Sequence, residues 1–152
     1  MDTDRLALAI GRVVVRAVWV DEVSAELVAH YQQRTGGDRS DTARGLSGRQ
    51  LTAALKKVGA DDRAREYGSL YERRNAIVHG RWYLRDGETI VSVRTPPKAQ
   101  NAGIVVTAEW TPAMLAALAD ELDAYFESTR AELLAGTGLE QHFQPGVYPY
   151  GP

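Results

Sequence analysis

Apolar residues recur at three- and four-residue steps through the first part of the chain. Leu6, Ile10, Val13, Val14, Ala17, Val18, Leu27, Val28 and Tyr31 follow this rhythm, which is that of a helix with one buried face. The pattern predicts a helix from about residue 4 to 34. It begins at Asp2-Thr3-Asp4, whose hydroxyl and carboxylates suit a helix start, and ends at Gly36-Gly37. The β-branched run Val13-Val14-Val15 reads alone as a strand, but the helical pattern continues on both sides of it. At 1.5 Å per residue such a helix is roughly 45 Å long. That length suggests a bundle or a subunit interface.

Residues 36–47, rich in Gly, Asp, Ser and Arg, read as a mobile loop. A short helix follows, capped by Ser47, with Leu51, Leu55 and Val58 turned inward and Gly59 stopping it. The next helix starts at Asp61-Asp62, buries Tyr67, Leu70, Tyr71, Ile77 and Val78, and ends at His79-Gly80. Trp82-Tyr83-Leu84, the turn Arg85-Asp86-Gly87-Glu88 and Thr89 to Val93 read as a β-hairpin, signalled by its Asp-Gly pair. Pro96-Pro97 to Gly103 is a loop, and Ile104 to Trp110 is a third strand. Thr111-Pro112 opens a last helix. Leu115, Leu118, Leu122, Tyr125, Phe126, Thr129 and Leu133 line its inner side, and Gly136 ends it. The expected fold is therefore mainly α: one domain over residues 1–136, a bundle of about four helices with a small antiparallel insertion at 82–110 before the last helix. Residues 137–152, with three prolines, form a flexible tail or interaction arm.

Composition narrows the chemistry. The chain has 152 residues, a net charge of −2 and no cysteine. Disulfides, thiolate-bound zinc, iron–sulfur clusters and a cysteine nucleophile are thereby excluded. The start is acidic where a signal peptide would be basic, and Arg16 interrupts the run Val13 to Val20. A cytoplasmic protein without membrane contact is expected. Near-neutral charge argues against non-specific coating of nucleic acid. Arginines 63, 65, 73, 74, 81 and 85 are opposed within their own stretch only by Glu66 and Glu72. This reads either as a local basic face for a few phosphates or as a solvated face carrying intrahelical ion pairs.

The segment Arg73-Arg74-Asn75-Ala76-Ile77-Val78-His79-Gly80 carries the candidate chemistry. Asn75 and His79 lie about 40° apart on one helix face. Arg74 stands roughly 140° from His79, so the two converge only if the helix loosens or the long arginine wraps around it. An imidazole can take a proton from a ribose 2′-hydroxyl or give one to the leaving oxygen, and a guanidinium offers paired donors to a phosphate. No metal or cofactor is needed. The only histidines are His30, His79 and His142, without a close carboxylate cluster. One imidazole cannot be acid and base at once, so two chains each giving Arg74 and His79 would supply both roles.

Arg74-Asn75-Ala76-Ile77-Val78-His79 resembles the motif of the HEPN superfamily: an arginine, a polar residue, a short spacer and a histidine. The resemblance implies a bundle of about four or five helices, often dimeric. It also implies metal-independent endoribonuclease activity, as in HEPN toxins, abortive-infection proteins and CRISPR effectors. Arg74 and His79 would then be catalytic, with Asn75 positioning them. RNA and a second copy are the implied partners, with an antitoxin or defence-complex protein as a further one. Members paired with a nucleotidyltransferase antitoxin often carry a tyrosine two residues after the histidine, where this chain has Arg81.

Other readings stand beside this one. Arg, His and Gly also make a good helix C-terminus. Arg73 and Arg81 are candidate phosphate contacts and Tyr71 a base-stacking surface. Tyr67 and Tyr71 equally suit a core or an interface, and Arg73 equally suits a pair with Glu66. Trp82 and Trp110 read as packing the hairpin on the bundle, and His30 and His142 as incidental. A non-catalytic module holding RNA, a nucleotide or a protein is the rival function. A docking subunit using the tail is another.

Overall fold

The computed structural model describes residues 3–37, 41–85, 89–94, 106–135 and 137. Helix α1 (Thr3–Arg34) leads through a single 3-10 turn (Asp41–Ala43) to α2 (Gly48–Lys57) and α3 (Asp61–Val78). Strands β1 (Arg81–Arg85), β2 (Thr89–Arg94) and β3 (Val106–Trp110) precede α4 (Pro112–Leu134). Over the described residues the chain is thus a mainly α bundle of four helices, carrying a small antiparallel sheet of order β1-β2-β3 before α4. No helix among the described residues is long and apolar enough to cross a membrane.

Helix α1 packs chiefly along α4, and α2 packs against α3. Val13, Ala17, Val20, Leu27 and Val28 of α1 meet Leu115, Leu118, Leu122 and Tyr125 of α4 in one core, with Tyr67, Leu70 and Ile77 from α3 and Leu51 and Leu55 from α2. Each fully buried leucine of this set contributes about 1.5–3 kcal/mol of transfer free energy. Such burial does not fix how the two helices slide along each other. Polar bonds do. Arg16 Nε donates to Asp123 Oδ2 at 2.6 Å, Ser24 and Tyr125 share a buried hydrogen bond of 2.9 Å, and the Tyr31 hydroxyl donates to Glu132 Oε1 at 2.7 Å.

Local signals account for the helix ends. Gly59, at φ 82°, lets Ala60 N–H reach the Leu55 carbonyl at 3.0 Å, the left-handed closure that stops α2. Thr111 Oγ1 accepts from Met114 N–H at 3.2 Å, with Pro112 in the first turn of α4. Ser47 has the extended backbone of a cap but makes no side-chain cap bond. Gly48 N–H instead donates to the Tyr67 hydroxyl at 2.8 Å. A phenol from α3 thus takes up one of the donors that a helix start leaves open.

Several positions depart from the periodic reading. Val14 and Val18 of α1 and Val78 of α3 are exposed, and Tyr71 is only partly buried. The apolar set of α1 is wider than one bundle can cover, and Val78 stands at the last turn, where α3 leaves the core. Trp82 and Ala108 pack on the core and Trp110 is buried within it, so the sheet seats its tryptophans on the bundle as expected. Trp82 Nε1 also donates to the Ile77 carbonyl at 3.1 Å, which fastens β1 to the end of α3. The hairpin turn at 86–88, the start of the third strand at 104–105, Gly136 and the tail from 138 onward lie outside the described residues.

Candidate functional site

The motif occupies the last turn of α3 and its cap. His79 is the C-cap residue, with φ −104° and ψ 6°, and its N–H donates to the Asn75 carbonyl at 3.2 Å. Gly80 then releases the chain into β1. The His79 imidazole is exposed. Arg74 points the other way, toward α1, and donates from Nη2 to Asp21 Oδ2 at 2.9 Å. Its side chain is 15 % exposed and that of Asp21 19 %, which leaves this pair much less screened than a surface ion pair.

The other Asp21 oxygen is also taken. The Tyr67 hydroxyl donates to Oδ1 at 2.6 Å while accepting from Gly48 N–H. The Arg74 guanidinium lies 5.0 Å from the centroid of the Tyr71 ring, which stacks beside Tyr67 at 6.2 Å and 23°. Tyr71 in turn covers Gly48, whose missing Cβ would fall inside its ring atoms. The contacts close into a circuit: Gly48, Tyr67, Asp21, Arg74, Tyr71 and back to Gly48. Between Asp21, Tyr67, Tyr71 and Arg74 and the core residues beneath them the packing leaves about 10 Å³, too little to admit more than a single water.

Electrostatics follow from burial. Desolvation raises the Asp21 carboxyl above its ordinary value, although the Tyr67 hydrogen bond and the Arg74 charge pull it down. Burial, then the hydrogen bond to Asp21, push Tyr67 far upward. Tyr67 therefore keeps its proton and can only donate to the carboxylate.

The remaining site candidates are less concentrated than their order in the chain suggests. Arg73 is held by Glu121 of α4, with Nη1 to Oε1 at 2.9 Å and a second contact from Nη2 to Oε2, rather than by Glu66. That hydrogen bond raises the Arg73 guanidinium and lowers the Glu121 carboxyl. Arg63 reaches Glu132 at 3.0 Å and Arg65 reaches Asp62 at 3.0 Å. The arginine-rich stretch is thus opposed by carboxylates from α1 and α4 as well as its own helix, and it is not a continuous basic face. Arg81, at the start of β1, is exposed. Asn75 buries its Oδ1 with no hydrogen-bond partner among the described residues. His30 is half-buried beside the Tyr31 ring, and His142 lies outside the described residues.

Arg74 and Tyr71 therefore meet through the circuit, whereas His79 stands apart from it at the helix end. Two members of the circuit, Asp21 and Gly48, escape a motif-centred reading because they lie far from it in sequence. A signal for Asp21 does exist. It falls with Ala17, Ser24 and Val28 on the inward side of α1, and a carboxylate at such a position needs a partner. Among the described residues no three His, Asp or Glu side chains gather into a metal-holding group.

Compared with known protein families, curated proteins and solved structures, the chain finds no match.

Proposed function

We propose that this chain is a cytoplasmic, metal-independent endoribonuclease of HEPN type that acts as a homodimer. The observation that carries the reading is the division of labour at the end of α3. Arg74 is a partly buried, oriented cation, and His79 five residues later is an exposed imidazole at the cap. In the proposed reaction a ribose 2′-oxygen forms a bond to the adjacent phosphorus as the bond to the 5′-oxygen breaks. One His79 takes the 2′ proton and a second protonates the 5′-oxygen, leaving a 2′,3′-cyclic phosphate and a 5′-hydroxyl. Arg74 stabilises the charge growing on the phosphorane oxygens.

The second imidazole would come from a second copy. Leu8, Val14, Val15 and Val18 leave an apolar strip on α1, and the space over Gly11 is open. A strip of this kind on a helix with one face already buried supports pairing with its own copy. Asn75, with its unsatisfied oxygen, is assigned to positioning within that pair, and Arg81 and Tyr71 to the flanking RNA.

The engagement of Arg63, Arg65 and Arg73 by carboxylates favours a second reading, a non-catalytic module of the same shape that holds RNA, a nucleotide or a protein. One experiment separates the two. Purified protein is incubated with total RNA and tRNA in EDTA, beside His79→Ala and Arg74→Ala. Cleavage lost in both variants, with cyclic phosphate ends on the products, supports the ribonuclease. A folded wild type that binds RNA without cutting it, and still binds as His79→Ala, overturns the ribonuclease in favour of the module.

A further inference from the structure

We infer that Asp21 and Tyr67 are positioning residues that set the orientation of the Arg74 guanidinium for its phosphate contact. This rests on the ribonuclease reading for its catalytic consequence, though not for its geometry. Arginine side chains carry large rotamer entropy, and an unrestrained guanidinium must lose much of it on meeting a phosphate. Here that ordering is already done. Arg74 gives one nitrogen, Nη2, to Asp21 Oδ2 and lays its guanidinium against Tyr71. Asp21 takes only this one of the three guanidinium nitrogens, which leaves Nε and Nη1 outside that bond.

The geometry favours a mount over a latch. A latch is a contact that a ligand displaces, and it requires room for the released group to move. Asp21 is fixed independently of Arg74, because Tyr67 holds its other oxygen at 2.6 Å and Gly48 N–H holds the Tyr67 hydroxyl at 2.8 Å. Tyr71 closes the opposite side of the guanidinium, and only about 10 Å³ remains on the core side, while Asp21 also borders an open cavity of about 800 Å³ toward Glu22, Arg44 and Ser47. The hold on the carboxylate is thus the Tyr67 bond rather than a lack of room, and it persists when an anion meets the arginine. Asp21 touches Arg74 and not the reacting atoms. Its effect belongs on turnover rather than on affinity for RNA.

Tyr67→Phe is the sharpest variant, since it keeps both charges and removes only the hydroxyl that fixes Asp21. Tyr67→Phe, Asp21→Asn and Asp21→Glu are compared with wild type for kcat and KM on a cleaved RNA. The Arg74 Nη2–H resonance, from the nitrogen bonded to Asp21, is followed in parallel without RNA, and a denaturation curve certifies each fold. We expect kcat to fall about tenfold to a hundredfold in Tyr67→Phe and Asp21→Asn with KM nearly unchanged, and Asp21→Glu to recover part of the loss. The Arg74 resonance should be sharp and slow to exchange in wild type and broadened in Tyr67→Phe. Variants that cleave as fast as wild type, or faster, overturn the mount, faster cleavage being the mark of a latch. If wild type cleaves nothing, the ribonuclease reading fails by itself and the resonance decides the positioning. A signal equally sharp in wild type and Tyr67→Phe then refutes it, and one sharp only in wild type upholds it.

Discussion

The Tyr71 ring lies directly over the Cα of Gly48, so a side chain at residue 48 would overlap its Cε1, Cζ and Oη atoms. Gly48 also adopts φ 59°, the left-handed region that other residues enter at a cost of about 1–2 kcal/mol. Gly48→Ala combines that strain with displacement of Tyr71. It is expected to destabilise the fold by about 2–4 kcal/mol, measured by urea unfolding. A change below 0.5 kcal/mol would show that the ring moves aside freely. The same variant should weaken the arginine site, because Gly48 also holds the Tyr67 hydroxyl.

The Ser24–Tyr125 bond is the fully buried member of the polar set between the first and last helices. Tyr125→Phe leaves the serine hydroxyl without this partner and should cost about 1–3 kcal/mol. In the double variant Ser24→Ala/Tyr125→Phe the loss should be smaller than the sum of the single losses, since neither group is then stranded. Additive losses would show that the two hydroxyls act independently.

Arg73 and Glu121 join α3 to α4 through a pair whose carboxyl is held below its ordinary value, first by the hydrogen bond from Arg73. A carboxyl lowered in the folded state binds protons more readily in the unfolded chain. Its contribution to stability is therefore present above the ordinary glutamate pKa of 4.5 and disappears as pH falls through the lowered folded value. Both side chains are partly exposed, so the effect is modest. Glu121→Gln should be less stable than wild type at pH 7 and indistinguishable from it in strong acid. A gap that persists in acid would assign the loss to packing instead.

If two copies pair through α1, charge on the exposed strip should separate them. Val15→Glu stands on that strip at a position 48 % exposed in the single chain, so its fold should survive. The expected result is a monomer by light scattering with helical content retained and RNA cleavage lost. A dimer unchanged by Val15→Glu and by Leu8→Glu would move the interface elsewhere.

The order of elements was legible because each carries its own punctuation. Gly59 ends α2, Thr111-Pro112 opens α4, and the tryptophans of the insertion pack on the core. Periodicity told less about which apolar residues face inward. Val14 and Val18 share the spacing of Val13 and Ala17 yet remain outside, since the spacing records helicity without saying how much of a helix a small bundle can cover. The candidate site was legible only as far as local sequence reaches. Arg74, Asn75 and His79 are a few residues apart, whereas Asp21 comes from another helix 53 residues away. Charge counting within residues 63–85 reached the intrahelical pair Arg63–Glu66 but not the partners on other helices, for the same reason. The carboxylates that meet Arg73 and Arg74 belong to α4 and α1, and Arg63 reaches Glu132 of α4 as well as Glu66 of its own helix.

The polar bonds between α1 and α4 also govern the timing of folding. The three pairs are separated by 101 to 107 residues in sequence, so none can form until nearly the whole domain has been synthesised. Until then α1 has only α2 and α3 to pack against, its side toward α4 is uncovered, and the loop-closure entropy of the chain opposes capture of that last partner. Docking of α4 is thus the step that completes these bonds. On the ribosome, α1 meets α4 only after α2, α3 and the sheet have been made, and during that interval its α4-facing side is open to chaperones and to other nascent copies.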